Sequence, residues 1–356
     1  MARELMKGNE AIAAAAISAG CRYFFGYPIT PQNEIPEYMS RELPKAGGVY
    51  VQAESEVAAI NMVYGAAGAG ARVLTSSSSP GISLMQEGIS YIAGAQLPCV
   101  LVNIMRAGPG LGGVQPAQAD YFQATRGGGH GDYRVIVLAP STLQEAVDLT
   151  QLAFDLADRY RNPAMVLADG MIGQIMEPVE IEPRRPAADL PAKDWATTGT
   201  ASSGGRRRII NSLFLHPDEL ERHVLAIYRK YEEVEKNEVR CELHLCDDAE
   251  IVIVAYGTTA RIARSAIAKC RRFGIRVGLL RPITLYPYPS GAFTPLLERV
   301  RNFLVVEMSM GQMIDDVRIA VAGRKPIAFY GRTGGIVPTV EEIVRQVQAL
   351  AQGGAQ

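Results

Sequence analysis

Glu54 and Glu56 stand two residues apart where a strand gives way to a helix, inside residues 50–81, YVQAESEVAAINMVYGAAGAGARVLTSSSSPG. A carboxylate at the carboxyl end of a buried strand lies on the edge where open α/β sheets gather their ligands, and there it can act as an acid or base. The same place is the first turn of a helix, where the dipole favours an acid, so either residue also reads as a plain helix-start carboxylate. Thr30 sits in Pro28-Ile29-Thr30-Pro31. The two prolines fix the backbone around it and hold its hydroxyl at a strand end, either for a ligand or as the cap of a helix over 31–41. Arg106 follows an apolar strand and opens the Gly-rich segment 106–133. A guanidinium fork suits a carboxylate ligand, and a structural salt bridge is the alternative.

Other reactive types fit duller roles. His130, between glycines in GGGHGDY, reads as a surface residue. Cys241 and Cys246 in CELHLC have four residues between them and no second pair to complete a zinc or iron–sulfur site. All five cysteines (Cys21, Cys99, Cys241, Cys246, Cys270) therefore read as reduced structural thiols, and the expected compartment is the cytoplasm. Gly257-Thr258-Thr259 at a helix start can bind an anion, although a start built from Gly and Thr is ordinary. GxxxxGK[ST] does not occur, and the single GxGxxG match, GPGLGG at 108–113, lies in the aperiodic Gly-rich segment, so neither a Walker loop nor a Rossmann dinucleotide site is supported.

The elements that position these groups alternate regularly. Helix 8–20, strand 23–27, strand 49–52, the Ala/Gly-rich helix after Glu56, strand 72–74, helix 82–95, strand 98–105, strand 134–139, helix 142–160 capped by Ser141 and strand 162–169 closing the sheet give a doubly wound, mostly parallel sheet. The helix after Glu56 carries little bulk, so a neighbouring helix or a second subunit must pack closely on it. Residues 106–133 have little periodicity, and a connection that long is usually functional or mobile. Composition shifts at Glu177 to a Pro-, Ser- and Arg-rich stretch that reads as a linker or exposed arm, with the basic triplet Arg206–Arg208 as solvated loop. A charged helix over 217–239 follows, expected on the surface or against a subunit. From residue 249 a second α/β unit has strands at 251–255, 277–280, 303–306 and 327–330. The expected division is 1–176, 177–247 and 248–356.

A net charge of −1 offers no field for nucleic acid or acidic lipid, and 356 residues suffice for two domains. The opening MARELMKGNEAIAAAAISAG lacks the apolar core of a signal peptide, and no apolar run approaches bilayer length. No nucleic-acid or membrane role is expected.

The motifs GNEAIAAAAISAGCRYFFGYPITP, QAESEVAAINMVYGAAGAGARVLTSSSSPG, LVNIMRAGPG, VAYGTTA and VEMSMGQM together resemble the α-type subunit of the thiamine-diphosphate-dependent 2-oxoacid:ferredoxin oxidoreductases, most of all the 2-oxoisovalerate (branched-chain) type. The resemblance implies a pyrimidine-binding α/β domain followed by a transketolase-C-terminal-like α/β domain. It implies that Glu56 is the glutamate paired with N1′ of the cofactor's aminopyrimidine, favouring the imino form that removes the thiazolium proton. It implies that Thr30 and Arg106 hold the substrate carboxylate, and that Pro28, Ile29 and Ser79 contact the cofactor. No GDG run with a later Asn pair and no CxxCxxC run occurs in this chain. The resemblance places Mg²⁺ and diphosphate on a β subunit, the clusters on γ-type and ferredoxin-type subunits, and no metal here. The implied reaction is CoA-dependent oxidative decarboxylation to acyl-CoA, CO₂ and reduced ferredoxin. Alternatives are the same reaction on 2-oxoglutarate or pyruvate, a transketolase-like or acetolactate-like enzyme, and a non-catalytic subunit.

Overall fold

A computed structural model describes residues 3–182, 189–201 and 204–353. Its first half runs β1 (Glu4–Lys7), α1 (Gly8–Ser18), β2 (Tyr23–Gly26), α2 (Glu34–Glu42), β3 (Val49–Gln52), α3 (Glu56–Gly68), β4 (Val73–Ser77), α4 (Ser79–Gly94), β5 (Cys99–Met105), α5 (Tyr121–Arg126), β6 (Ile136–Leu138), α6 (Leu143–Tyr160), β7 (Pro163–Asp169), α7 (Gly170–Gln174) and β8 (Met176–Val179). After α8 (Pro217–Asn237) come β9 (Cys241–His244), β10 (Ile251–Val254), α9 (Gly257–Arg272), β11 (Val277–Pro282), β12 (Thr284–Tyr286), β13 (Asn302–Glu307), α10 (Met313–Val321), β14 (Ile327–Gly331) and α11 (Val340–Ala351).

Two larger sheets result. The first has the order β12-β6-β7-β5-β4-β2-β3 and the second β14-β13-β10-β11-β9, each parallel except for one antiparallel edge strand, β12 and β9. All seven residues of β5, CVLVNIM, are buried, as a parallel strand covered on both faces requires. Val100, Val102 and Ile104 face the core under α1 and α6, whereas Leu101 and Met105 face the core of α3, α4 and the second half. In the second sheet Val252 and Val254 turn to that shared core, and Ile251 and Ile253 turn to α9 and α11.

Several expectations change. β7 is interior, between β6 and β5, and the edge is taken by β12, which comes from the second half of the chain. The second sheet likewise starts before residue 248, at β9, and β8 pairs with β1 at 176–179. Helix α2 starts at Glu34 with Asn33 before it, because Gln32 closes a turn onto the Ile29 carbonyl, so Thr30 caps nothing. The cap of α6 is Thr142, whose hydroxyl accepts from the Glu145 N–H, while Ser141 donates to the Glu145 carboxylate.

The segment after Glu177 is a strap more than a free arm. Thr197 N–H and hydroxyl both donate to the Gly68 carbonyl (2.9 and 3.0 Å), Lys193 donates to Gly70 O at 3.1 Å, and Arg161 stacks 4.5 Å above Trp195. Residues 183–188, 202 and 203 of that stretch lie outside the described residues. Helix α8 buries Ile227, Tyr231 and Val234, one helical stripe, and exposes most of its charges, Lys230 being half-buried. The small-residue helix α3 packs on α4, where a Cβ on Gly88 would meet Ile60 at 2.5 Å, and its end lies under the strap. Its outer residues Val57 and Met62 remain exposed. The cysteines are free, and four of the five are buried. Among the described residues no helix is long and apolar enough to cross a membrane.

Candidate active site

Because β2, β3, β4 and β5 run parallel, their carboxyl ends deliver four loops to one edge of the first sheet. Pro28, Ile29 and Thr30 follow β2, Glu54 to Glu56 follow β3, Ser77 to Ser79 end β4, and Arg106 follows β5. The loop after β2 is pinned rather than free. Ser76 donates to the Gln32 side chain at 2.6 Å, Gln32 donates to Tyr27 O at 3.2 Å, and Asn9 donates to Pro31 O at 2.7 Å. Pro28 and Thr30 are exposed and Ile29 is half-buried.

Glu56 is the first residue of α3, with Ser55 as the N-cap accepting from Ala58 N–H at 3.2 Å. Ser55 already does the capping, yet the Glu56 side chain is only 6 % exposed. Its carboxylate has no hydrogen bond or ion pair among the described residues. It lies against α4, where a Cβ on Gly81 would come within 2.5 Å of Glu56 Oε1 and 2.0 Å of Ser77 Oγ. The buried hydroxyls of Ser77 and Ser78 also lack partners. A buried carboxylate at a helix N-terminus, with unsatisfied hydroxyls beside it and a glycine leaving it room, fits a polar heterocycle carrying a ring nitrogen. Glu54, two residues earlier, is exposed.

Arg106 is 8 % exposed and forms no ion pair among the described residues, which sets the salt-bridge reading aside. Its Nη1 donates to the Thr30 carbonyl at 3.2 Å and Nη2 to Leu111 O at 3.1 Å, and Nε has no partner. Thr30 and Arg106 are thus brought together, and the Thr30 hydroxyl accepts only a long bond from Asn33, 3.4 Å. Ser79 joins them: its hydroxyl accepts from Arg106 N–H at 3.0 Å and lies 3.2 Å from the Arg106 carbonyl. Ser79, Arg106, Asp120, Ser309, Gln312 and Thr333 line a cleft of about 340 Å³ between the first sheet's edge and the second half. His130 lies elsewhere, exposed, its carbonyl accepting from Ser90.

Asp120 was not legible in advance, because it lies in an aperiodic loop. Asn103 donates to it at 2.9 Å, and burial raises its carboxyl's pKa against the hydrogen bonds from Ser79 and Asn103. Gln118 explains how the loop is held. Fully buried, it donates to Tyr256 O at 2.8 Å and to Met308 O at 2.9 Å, and its side-chain oxygen accepts from Met308 N–H at 3.0 Å and the Thr259 hydroxyl at 3.2 Å. Thr258 donates to buried Asp169 at 2.8 Å. The Gly257-Thr258-Thr259 start is therefore occupied by protein contacts and is not an anion site. In VEMSMGQM, the Glu307 carboxylate accepts from Gln312, Met313 and Ile314 N–H at 3.0 to 3.1 Å and so closes the start of α10.

A sequence profile described as "Pyruvate flavodoxin/ferredoxin oxidoreductase, thiamine diP-bdg" matches residues 14–235, and one described as "Pyruvate:ferredoxin oxidoreductase core domain II" matches residues 249–343. Ketoisovalerate oxidoreductase subunit VorB of Methanothermobacter marburgensis is 51 % identical over 351 residues, covering 99 % of each chain. 2-Oxoglutarate synthase subunit KorA of Methanocaldococcus jannaschii is 37 % identical over 97 % of this chain and 99 % of its own. Among solved structures, 2-oxoglutarate:ferredoxin oxidoreductase from Magnetococcus marinus, with 2-oxoglutarate, coenzyme A and succinyl-CoA bound, aligns with a TM-score of 0.86 at 27 % identity. That match covers 97 % of this chain and 65 % of the solved one. An inactive β4 tetramer of a split-gene transketolase aligns with a TM-score of 0.60 at 12 % identity, a likeness of fold alone.

Proposed function

The chain belongs to the thiamine-diphosphate-dependent 2-oxoacid:ferredoxin oxidoreductases, and within them we propose that it is the α-type subunit of an enzyme that oxidatively decarboxylates a branched 2-oxoacid, 2-oxoisovalerate. The products are acyl-CoA, CO₂ and reduced ferredoxin. The substrate rests on one observation, identity of 51 % across essentially the whole chain to a ketoisovalerate oxidoreductase subunit against 37 % to a 2-oxoglutarate synthase subunit.

When bound, thiamine diphosphate supplies the electron sink that decarboxylation of a 2-oxoacid needs. The Glu56 carboxyl would hydrogen-bond the aminopyrimidine ring nitrogen; its burial next to Gly81 supports this role. Arg106 receives the substrate carboxylate with the N–H groups not spent on Thr30 and Leu111, and the Thr30 hydroxyl adds a donor. Ser79 keeps Arg106 in place through its main chain, and Pro28 and Ile29 form the wall on the β2 side. A β subunit carries Mg²⁺ and the diphosphate, γ-type and ferredoxin-type subunits carry the CoA site and clusters, and the assembly works in the cytoplasm.

The test is the complex purified with its partners and assayed for CoA-dependent viologen reduction by 2-oxoisovalerate, 2-oxoglutarate and pyruvate. Glu56→Gln, which keeps shape and removes the proton site, is expected to lower turnover about 100-fold or more while the complex still assembles. Unchanged turnover would instead favour a non-catalytic subunit. A preference for 2-oxoglutarate or pyruvate would replace the substrate.

A further inference from the structure

The cleft beside Arg106 contains a second charge. Asn103 occupies the face of β5 shared by Leu101 and Met105, an apolar position given to an amide, and donates to Asp120 Oδ2 at 2.9 Å. Ser79, already joined to the Arg106 main chain, also hydrogen-bonds the Asp120 carboxylate. Burial, the larger influence, raises the Asp120 carboxyl's pKa, and the hydrogen bonds from Ser79 and Asn103 counter it. Among the described residues lining the cleft of about 340 Å³, Arg106 and Asp120 are the charged ones. The remaining cation of the loop, Arg126, is turned away and paired with Asp316 at 2.9 Å.

Arg106 and Asp120 line the same cleft. Once Arg106 takes the carboxylate next to the keto group, the other end of the substrate faces a wall with one acid and no base. We propose that Asp120 is the specificity-determining residue that makes this cleft reject a dicarboxylic 2-oxoacid in favour of a monocarboxylic one. A second carboxylate there meets either a like charge on Asp120 or the cost of protonating it, and a neutral branched chain meets neither. This inference rests on the reading of Arg106 as the substrate's anchor.

The experiment uses the assembled complex and compares kcat/KM for 2-oxoglutarate, 2-oxoisovalerate and 2-oxobutyrate in wild type, Asp120→Asn and Asp120→Glu. The asparagine variant is expected to raise the ratio of 2-oxoglutarate to 2-oxobutyrate tenfold or more, and the glutamate variant to keep the wild-type ratio. If Asp120→Asn fails to assemble, Asp120→Ser makes the same comparison with a smaller neutral side chain. An unchanged ratio in the neutral variants, or equal shifts in the asparagine and glutamate variants, overturns the role of charge at Asp120 and leaves the proposed reaction standing. A wild-type complex that turns over none of the three overturns both.

Discussion

Gly81 has no room for a side chain, and that constraint defines the surroundings of Glu56. A Cβ there would sit 2.0 Å from Ser77 Oγ and 2.5 Å from Glu56 Oε1, so Gly81→Ala must displace the carboxylate, a hydroxyl or the first turn of α4. The expected cost is about 1–3 kcal/mol, as for other overpacked sites. Viologen reduction by the assembled complex should fall together with the melting temperature. Wild-type turnover in this variant would mean that the Glu56 position is not critical. The placement of Glu56, Thr30 and Arg106 at one sheet edge was legible because each follows a short strand and parallel strands bring such ends together, whereas Ser79 and the roles of all four came from the family resemblance alone. Asp120 was legible in neither way: Asn103, Ser79 and the contacts of Gln118 place it, and none of these is written in local periodicity.

Among the elements, α8 carries an unusual lysine. The Lys230 ammonium is half-buried, donates to Arg161 O at 3.2 Å, and is pushed down to about 7, first by burial and then by the Arg161 guanidinium. Its folded-state affinity for a proton is thus below the unfolded one. The unfolded chain binds more protons from about pH 7 up to the ordinary lysine range, and stability rises with pH across that window. Below about pH 7 the full penalty of a buried ammonium is present. Lys230→Met should therefore be more stable than wild type at pH 6, on the order of 2 kcal/mol, with the gap closing as pH rises toward 10. Melting temperatures of both proteins at several pH values check this, and a gap independent of pH would show that Lys230 is charged at no cost. The stripe of Ile227, Tyr231 and Val234 that seats α8 was visible in the sequence but masked by surrounding charge. Strands β9 and β12 were missed because four and three residues carry no usable alternation, and their partners lie far along the chain.

Over the whole molecule, the two halves are locked together by polar contacts as well as a shared core. Arg281, 2 % exposed, reaches Glu145 on α6 at 2.6 Å and Glu242 on β9 at 2.9 Å. Gln118 bridges to residues 138 and 190 positions away. Gln118→Ala leaves the Met308 N–H buried and unpaired, at about 1–3 kcal/mol, while the Tyr256 carbonyl keeps the Thr259 hydroxyl. A lower melting temperature and faster proteolysis within 106–116 are expected, whereas unchanged cleavage would show that the loop is held by other contacts. The shared sheet also bears on how the protein is made. The free edge of β6 is complete once residue 138 has been synthesised, but its partner β12 begins only at residue 284. At ribosomal speeds of about 5–20 residues per second, the nascent first half waits roughly 10–30 s with an open strand edge. During translation that edge is a natural client for a ribosome-associated chaperone, and a message cut anywhere between those two codons would yield an aggregation-prone fragment.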